Sequence, residues 1–263
     1  MTMNRRELLR NTAASAAGLF VAFHVPSALR GVAAAAAPKL PAANAFLRIG
    51  TDDSVTVMIA HSEMGQGIWT GLAMLIAEEL ECDWSKVRSE HAPAAPVYGH
   101  PMMGMQMTGG SSSTWSEFER YRTVGAIAKD MLIRAAAARW KVAPAACRAA
   151  SGVVSAGKEQ ASYGKLAQAA MALAPPATVK LKDPKDWKLI GTAVRRLDTP
   201  EKITGKAQFG IDVQLPGLRI AVVARPPAFG AKLAKFDGAA ALKVPGVEHV
   251  VPTGNGVAVV GTF

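Results

Sequence analysis

The sequence predicts an α+β fold, and three features of the 263-residue chain support this prediction. Residues 54–81 have the order of strand, glycine turn and helix. Residues 106–140 contain a second turn of small residues that leads into a longer helical pattern. From residue 202 onward, short apolar runs typical of strands predominate. The chain is therefore predicted to combine helices and strands, with the last part richer in strands.

The first glycine turn, residues 64–67, lies between a predicted strand and a predicted helix. Residues 55–60 are apolar and rich in β-branched side chains, as strands are. The apolar residues after the turn recur at helical spacing: Leu72, Leu75, Ile76 and Leu80. The first N–H groups of a helix have no intrahelical partner, and glycine allows close approach. Gly65, Gln66 and Gly67 therefore predict a site for phosphate or another anion, with a simple tight turn as the alternative.

The second glycine turn, residues 106–114, repeats this arrangement before a helical pattern that ends near Trp140. Successive N–H groups in such a run can form a nest for an anion, and hydroxyl groups add donors. The predicted binding residues are Thr108, Gly109, Gly110, Ser111, Ser112 and Ser113. A flexible linker is the alternative, but a linker does not normally lead directly into an amphipathic helix.

Neither turn matches the common nucleotide-binding motifs. No lysine follows the last glycine, as a Walker loop requires, and Thr70 occupies the position of the third glycine of a Rossmann fingerprint. Two uncharged turns with backbone donors therefore predict one ligand that carries more than one phosphate. His61 and Glu63 flank the first turn; structural hydrogen bonding is the favoured interpretation, and a role as base is the alternative.

The composition narrows the possible function classes. The formal net charge is +10, but the basic residues are scattered and only 6% of residues are aromatic, so no nucleic-acid partner is predicted. Cys82 and Cys147 do not form a Cys-x-x-Cys pair, and the histidines have no metal-ligand spacing. The chain is therefore predicted to hold no metal through its own side chains, and two separate thiols are favoured over a disulfide.

Residues 1–37 are predicted to be a Tat signal peptide. Arg5 and Arg6 are adjacent, and the apolar stretch at 13–25 is too short to span a bilayer comfortably. Alanines at 33–37 offer several cleavage positions. The predicted location is therefore the periplasm after Tat export, with association with the cytoplasmic membrane left open and an uncleaved anchor as the alternative.

The remaining elements follow from periodicity and from the positions of glycine and proline. Helices are predicted at residues 69–81, 115–140, 144–150, 163–172 and 238–242. Strands are predicted at residues 46–50, 55–60, 87–90, 207–213, 218–224, 247–251 and 257–260, with a further hairpin at 152–159. Residues 178–201 are charged and contain several prolines, and we predict that they form a linker.

Several stretches of the sequence together carry a resemblance to a known family. They are Met-Gly-Gln-Gly at 64–67, Thr-Gly-Gly-Ser-Ser-Ser at 108–113, residues 77–88 with 90–94, and residues 182–191 with 195–198. Through them, nearly the whole chain after the leader resembles the molybdenum hydroxylases, the xanthine dehydrogenase and aldehyde oxidase family. It is most similar to the large (β) subunit of the isoquinoline 1-oxidoreductase type and to the related membrane-associated aldehyde dehydrogenases.

The resemblance implies a particular domain order. Residues 38–177 would form a permuted molybdopterin-binding α/β segment, and 178–201 the linker. Residues 202–263 would form a partial α/β hammerhead domain, which here follows the binding segment instead of preceding it. Residues 204–217 resemble the opening of that hammerhead. Because the chain stops directly after an apolar strand, it is predicted to be a truncated copy or a fragment.

The resemblance also implies a cofactor and partners. Gly65, Gln66 and Gly67 would bind the phosphate or the pterin side of molybdopterin cytosine dinucleotide, and residues 108–113 would bind it from the facing loop. The 2Fe–2S clusters would lie in a small partner subunit that passes electrons to a cytochrome or another acceptor. The substrate would be an aldehyde or an N-heterocycle that is hydroxylated with water. The sequence around the family's catalytic glutamate has no match here, so no catalytic residue is predicted. The alternatives are a non-enzymatic periplasmic binding module, an inactive truncated copy or, with least support, a phosphate-binding hydrolase.

Overall fold

The structure is a computed structural model that describes residues 18–21 and 46–262. The chain forms two compact units, Met1–Ile203 (unit 1) and Thr204–Phe263 (unit 2). Most of the predicted signal peptide lies outside the described residues. Its residues 18–21 form a strand that pairs with the first strand of the predicted hairpin.

Two sheets are described in unit 1. The four-stranded sheet has the order β1–β2–β3–β4, with β1 at Gly18–Val21, β2 at Leu47–Gly50, β3 at Val55–Ile59 and β4 at Val87–His91. The β1–β2 and β2–β3 pairs are antiparallel, and β3–β4 is parallel. The three-stranded antiparallel sheet has the order β5–β6–β7, with β5 at Arg148–Ala150, β6 at Val153–Ala156 and β7 at Glu159–Ser162. The predicted hairpins and the strand at 87–90 are confirmed.

The helices described in unit 1 are α1 at Ile68–Leu80, α2 at Ser113–Trp140, α3 at Tyr163–Met171 and α4 at Thr199–Ile203. The first three confirm predicted helices. The predicted helix at 144–150 is wrong, because one 3-10 turn at Pro144–Ala146 is followed at once by β5. Arg148 and Ala150 pair with Ser155 and Val153 in the small sheet, so the backbone groups of this segment are satisfied by strand pairing.

The core of unit 1 forms where α1 packs on α2 and on the four-stranded sheet. Leu72, Ile76 and Leu80 are fully buried on one face of α1, as their three- and four-residue spacing predicts. Gly125 of α2 lies against α1 so closely that an added Cβ would come within 2.5 Å of the Ile76 carbonyl oxygen. A glycine is therefore required at this position for the two helices to pack at this distance.

The parallel pair β3–β4 places two strand ends side by side. Helix α1 connects these strands in sequence, and Ile59 at the end of β3 pairs with His91 at the end of β4. The Tyr121 hydroxyl of α2 fixes this edge, since it donates to the Met58 carbonyl at 2.8 Å and accepts from the Ala60 amide at 3.0 Å. The crevice beyond the carboxyl ends of parallel strands is a common position for ligands.

Residues 182–198, which we call the strap, extend along α1. Near the C-terminal end of α1, the Glu78 carboxylate pairs with the Lys182 ammonium at 2.6 Å and accepts backbone amides of 188–190. Near the N-terminal end, the Leu197 amide donates to the Thr70 hydroxyl at 3.0 Å. The segment predicted as a linker therefore packs on unit 1 through specific polar contacts.

The described part of unit 2 contains one antiparallel sheet of order β8–β10–β9. Its strands are β8 at Ile220–Ala224, β9 at Val247–Thr253 and β10 at Gly256–Gly261. The predicted strand at 207–213 is wrong, since this stretch has no ladder partner and holds a 3-10 turn at Gly210–Asp212. The helix predicted at 238–242 is reduced to a 3-10 turn at Ala241–Lys243.

The structure confirms mixed α and β content, whereas the finer description as a permuted binding segment with a partial hammerhead stays a prediction, as do the domain boundaries. Cys82 and Cys147 are free thiols, as favoured. No helix among residues 46–262 is long and apolar enough to cross a membrane.

Candidate functional site

The two glycine turns lie next to each other, although the two residues that join them are 46 positions apart in sequence. The Ser62 amide donates to the Thr108 hydroxyl at 2.8 Å. Ser62 follows the end of β3, and Thr108 precedes α2, so the bond joins the approaches to the N-termini of both helices. The structure therefore brings the two predicted binding segments into one region.

The first turn has the backbone that only glycine adopts readily. Gly65 has φ of 102° and Gly67 has φ of 87°, both in the left-handed region. The side-chain amide of Gln66 is used inside the turn, because its Nε2 donates to the Ser62 carbonyl at 2.8 Å and its Oε1 accepts from the Met64 amide at 2.6 Å. Gln66 and Gly65 are nevertheless exposed to solvent.

A carboxylate of the chain itself fills the anion position of the first turn. Glu63 Oε1 accepts from the Gly65 amide at 2.8 Å and the Gly67 amide at 3.1 Å, and its Oε2 accepts from the Trp69 amide at 3.1 Å. Burial of this carboxyl would by itself raise its pKa, but the three amides and a nearby guanidinium together lower the pKa below its ordinary value. Glu63 is therefore held as an anion at the N-terminus of α1.

The guanidinium comes from Arg196 on the strap. Its Nη1 donates to the Gly65 carbonyl at 2.8 Å, and its Nη2 donates to Glu63 Oε1 at 3.0 Å. On the other edge of the guanidinium, Nε donates to Asp198 Oδ1 at 3.0 Å and Nη2 donates to Asp198 Oδ2 at 2.8 Å. Asp198 also pairs with Lys202. The hydrogen bond from Arg196 is the main cause that lowers the pKa of Asp198 to about 2, against the opposing effect of burial.

The second turn is built differently. Gly110 and Ser111 have φ of 61° and 53°, so two consecutive residues are left-handed. The Ser112 hydroxyl donates to the Gly109 carbonyl at 2.8 Å, so this N-cap side chain does not cap the N-terminus of α2. In the described chain, the amides of Gly109, Gly110 and Ser111 donate to no protein acceptor. The turn therefore presents open N–H groups at the start of a 28-residue helix.

A cavity of about 540 Å³ lies beyond the ends of β3 and β4. Its lining includes His61 and Ser62 on one side and residues 106–108 on the other. Among the predicted site residues in the described chain, Thr108 alone lines this cavity, whereas the glycines of both turns lie outside its lining. The cavity therefore adjoins the two turns through the bonded pair Ser62 and Thr108.

A buried histidine faces a buried carboxylate beside this cavity. His61 Nε2 lies 3.2 Å from Glu117 Oε1, and both side chains are almost fully buried. Arg120 binds both oxygens of Glu117 and also donates to the Gly99 carbonyl at 3.1 Å. The other ring nitrogen of His61, Nδ1, is buried and has no partner among the described residues.

His100 presents a second such nitrogen. Its Nδ1 accepts from the amides of Met102 at 3.2 Å and Met103 at 3.4 Å, so its Nε2 carries the hydrogen. This Nε2 is also buried without a partner in the described chain, and the two imidazole rings lie 6.2 Å apart. His61 and His100 thus each offer one unmatched ring nitrogen to a polar ligand. No group of three or more metal-ligating side chains is found in the part of the chain that the structure describes.

Several of these residues were not predicted as site residues. His61 and Glu63 were identified as flanking the first turn, but nothing local to the sequence indicated Glu117, which follows His61 by 56 positions. Arg196 belongs to one of the stretches that carried the family resemblance, but no role was predicted for it. It reaches Gly65 across 131 positions, and only the folded chain shows this contact.

Comparisons with known proteins agree with the sequence resemblance. Residues 5–213 match the molybdopterin cofactor-binding domain family. The chain is 34% identical to the beta subunit of isoquinoline 1-oxidoreductase from Brevundimonas diminuta over 92% of its length. It is 36% identical to a membrane-bound aldehyde dehydrogenase (pyrroloquinoline-quinone) of Gluconacetobacter polyoxogenes over 75%, and 30% identical to the B subunit of nicotinate dehydrogenase from Pseudomonas putida over 82%.

The chain spans only part of these relatives. It corresponds to 36% of the isoquinoline oxidoreductase chain, 26% of the aldehyde dehydrogenase and 18% of the nicotinate dehydrogenase chain.

Proposed function

This chain belongs to the molybdenum hydroxylase family through its molybdopterin cofactor-binding domain, and we propose that its two glycine turns hold different parts of the cofactor. The second turn would bind the phosphates, and the first turn would contact the uncharged pterin end. The single observation that carries this assignment is the different occupancy of the amides in the two turns. Glu63 fills those of the first, whereas those of the second are open.

The first turn is a poor site for a phosphate. A phosphate at the N-terminus of α1 would have to displace the Glu63 carboxylate or lie beside it, and like charges at such distances repel. Arg196 balances the charge of Glu63, so the turn is close to neutral. Gln66 is exposed, and beyond the bonds inside the turn its side-chain amide has a second N–H and a second lone pair, which suit the polar edge of a heterocycle.

The second turn suits a phosphate. Three open amides at 109–111 and the positive end of the α2 dipole offer the donors and partial charge that anions bind. Exposed Ser111 and half-buried Thr108 and Ser113 add hydroxyl groups. No acidic side chain bonds to these amides in the described chain.

The cavity that adjoins the two turns suits the rest of the cofactor. The cavity next to Ser62 and Thr108 is of a size for a ring system, and small-molecule sites in proteins commonly have such volumes. Beside it, His61 and His100 each keep a buried ring nitrogen without a protein partner in the described chain. When bound, the cofactor supplies the redox centre; the residues of this chain hold and orient it and limit the access of water.

The activity of the complete protein is a further part of the proposal. The names of the relatives suggest oxidation of an aldehyde or an N-heterocycle, and we propose hydroxylation with water as the oxygen source. Two of the relatives are named as single subunits, beta and B, which supports a multi-subunit enzyme. We propose the cytosine dinucleotide form of the cofactor, a 2Fe–2S partner subunit, a cytochrome or similar acceptor and Tat-dependent export to the periplasm.

Cofactor loading of the chain tests the proposal. The chain is expressed in a host that makes molybdopterin cytosine dinucleotide, and molybdenum and acid-released CMP are measured in the folded, purified protein. We expect about one equivalent of each in the parent. Folded parent protein with neither molybdenum nor CMP would contradict the proposal.

A matched pair of variants tests the role of the second turn. Gly110→Asp places a carboxylate at the open amides, whereas Gly157→Asp makes the same change in the β6–β7 hairpin. The two glycines have φ of 61° and 59°, and neither has an atom within 4 Å of an added Cβ. The backbone cost is therefore similar, and we expect Gly110→Asp alone to lose molybdenum and CMP. Equal retention in both variants would contradict phosphate binding at the second turn.

A further inference from the structure

Arg196 lies outside every predicted binding segment, but it contacts the first turn directly. We propose that Arg196 is a positioning residue for the cofactor and acts through Glu63 and Gly65. This inference rests on the proposed function, since it concerns how the cofactor turn is held. It assigns to the strap a role in cofactor binding.

The guanidinium binds two different parts of the turn. One nitrogen donates to the Gly65 carbonyl at 2.8 Å, and another donates to the Glu63 carboxylate at 3.0 Å. Gly65 has no Cβ to restrict its backbone, and its φ of 102° lies in a region where glycine has wide conformational freedom. The hydrogen bond from Arg196 therefore fixes the peptide that leads into Gln66, an exposed residue of the turn.

Arg196 also sets the charge of the turn. Four ionised side chains alternate in sign along the contact path: Glu63, Arg196, Asp198 and Lys202. Without Arg196, the Glu63 carboxylate would lie unbalanced on the cofactor side of the molecule, close to where the phosphates are proposed to bind. An uncompensated negative charge beside an anion site weakens anion binding.

The strap presents the guanidinium in a defined position. The next residue, Leu197, donates its amide to the Thr70 hydroxyl of α1 at 3.0 Å. Asp198 binds the far edge of the guanidinium through both oxygens and is itself only 5% exposed. These two contacts therefore hold Arg196 in place beside the first turn.

Lysine could not make these contacts. The guanidinium is planar and binds Asp198 with one edge while its other N–H groups bind the turn, whereas an ammonium is a single point charge. Arg195 provides a matched control, because it is adjacent in sequence, exposed, and makes no contact of this kind in the described chain. The same substitution at the two positions therefore separates the contacts from a general change in charge.

The experiment compares Arg196→Gln and Arg196→Lys with Arg195→Gln and Arg195→Lys in the full chain. Molybdenum and CMP contents are measured after expression in the cofactor-competent host, together with the thermal midpoint and the amide NMR shifts of Gly65 and Gly67 in cofactor-free protein. We expect Arg196→Gln to retain roughly tenfold less cofactor, the loss associated with charge-assisted hydrogen bonds. The Gly65 and Gly67 signals should move, and the Arg195 variants should match the parent.

A double variant distinguishes positioning from general destabilisation. Glu63→Gln combined with Arg196→Gln removes both charges, so part of the lost cofactor content should return although a further contact is gone. A purely structural role predicts a larger loss in the double variant than in either single one, and this result would overturn the proposal. Unchanged cofactor content and unmoved glycine signals in Arg196→Gln would also overturn it.

Failure of the proposed function gives a different pattern. Parent protein without molybdenum or CMP contradicts cofactor binding by this chain, whatever Arg196 does. The NMR shifts of Gly65 and Gly67 then still decide whether Arg196 fixes the turn, because they are measured without cofactor. Shifts of the Gly65 and Gly67 signals that occur only in the Arg196 variants support this role. Shifts of the same size in the Arg195 variants contradict it.

Discussion

The two glycine turns look alike in sequence and differ in the folded chain. Each turn follows a stretch of apolar or small residues, contains residues with a left-handed backbone conformation and leads into a helix. In the first turn, the amides of Gly65 and Gly67 bind the Glu63 carboxylate. In the second, the amides at 109–111 bind no acceptor in the described chain. The donors of the first turn are therefore satisfied within the chain, whereas those of the second are open to a ligand.

This difference shows that a glycine-rich helix start does not by itself identify an anion site. The occupant depends on whether an acidic side chain lies within reach of the same amides. Glu63 precedes Gly65 by two positions and can bend back onto the turn, whereas the residues before Gly109 carry no carboxylate. A turn that contains its own anion is suited to neutral contacts, and an open one is suited to phosphate.

The largest effect is expected from Glu63→Gln. The amide NH₂ group would face backbone donors, and Arg196 would lose one of its two charged partners, so we expect the free energy of unfolding to fall by about 3 kcal/mol. Chemical denaturation measures this loss. Glu119→Gln on the exposed side of α2 is the control and should change stability by less than about 0.5 kcal/mol. Equal stability of the two variants would mean that Glu63 does not hold the first turn.

The next effect concerns Asp198 and depends on pH. Its pKa in the folded chain is about 2, below the ordinary value of 3.8, so the unfolded state binds more protons between these values and stability rises with pH there. We expect Asp198→Asn to cost about 2 kcal/mol at pH 6, with the difference from the parent disappearing as pH falls from about 4 to about 2. Denaturation at several pH values measures it. A cost that stays constant down to pH 2 would contradict the assigned ion pair.

Alanine substitutions compare the backbones of the turns directly. Gly67 has φ of 87°, so Gly67→Ala should cost about 1 kcal/mol through strain. Gly109 is not left-handed, and an added Cβ would meet Met107 Cε at an ordinary 3.6 Å. Gly109→Ala should therefore stay within about 0.5 kcal/mol of the parent. Thermal denaturation of the two proteins distinguishes them, and a reversed order would be inconsistent with the described turn conformations.

The smallest effect is expected from Ser111→Gly. Ser111 is a non-glycine residue with φ of 53°, and glycine removes the steric cost of that conformation while it adds flexibility to the unfolded chain. The net gain should be about 0.5 kcal/mol. Ser113→Gly, at the first position of α2, is the control and should lose stability. A loss of stability in Ser111→Gly would show that its hydroxyl contributes more than its backbone costs.

Local features of the site could be predicted from the sequence, because they depend on neighbouring residues. Glycine spacing predicted the turns, and apolar spacing predicted α1 and α2 to within about two residues. The helix predicted at 144–150 failed because strand pairing with β6 decided the conformation of Arg148 to Ala150. Tertiary pairing of this kind overrides local preference.

The contacts that define the site could not be predicted in the same way. The sequence places Glu63 beside the turn, but only the folded chain shows that its carboxylate accepts hydrogen bonds from the amides of the turn. Arg196 and Glu117 contact the turn region across 131 and 56 positions. No periodicity or spacing rule connects residues so far apart, and the family resemblance supplied the stretch around Arg196 without a role for it.

Titration of the isotope-labelled chain with cytidine diphosphate tests the different roles of the turns most directly. Amide NMR signals of Gly109, Gly110 and Ser111 should shift in a saturable manner, because the diphosphate accepts from their open N–H groups. Signals of Gly65 and Gly67, which already donate to Glu63, should remain where they are. Saturable shifts at Gly65 and Gly67 with none at 109–111 would contradict the account.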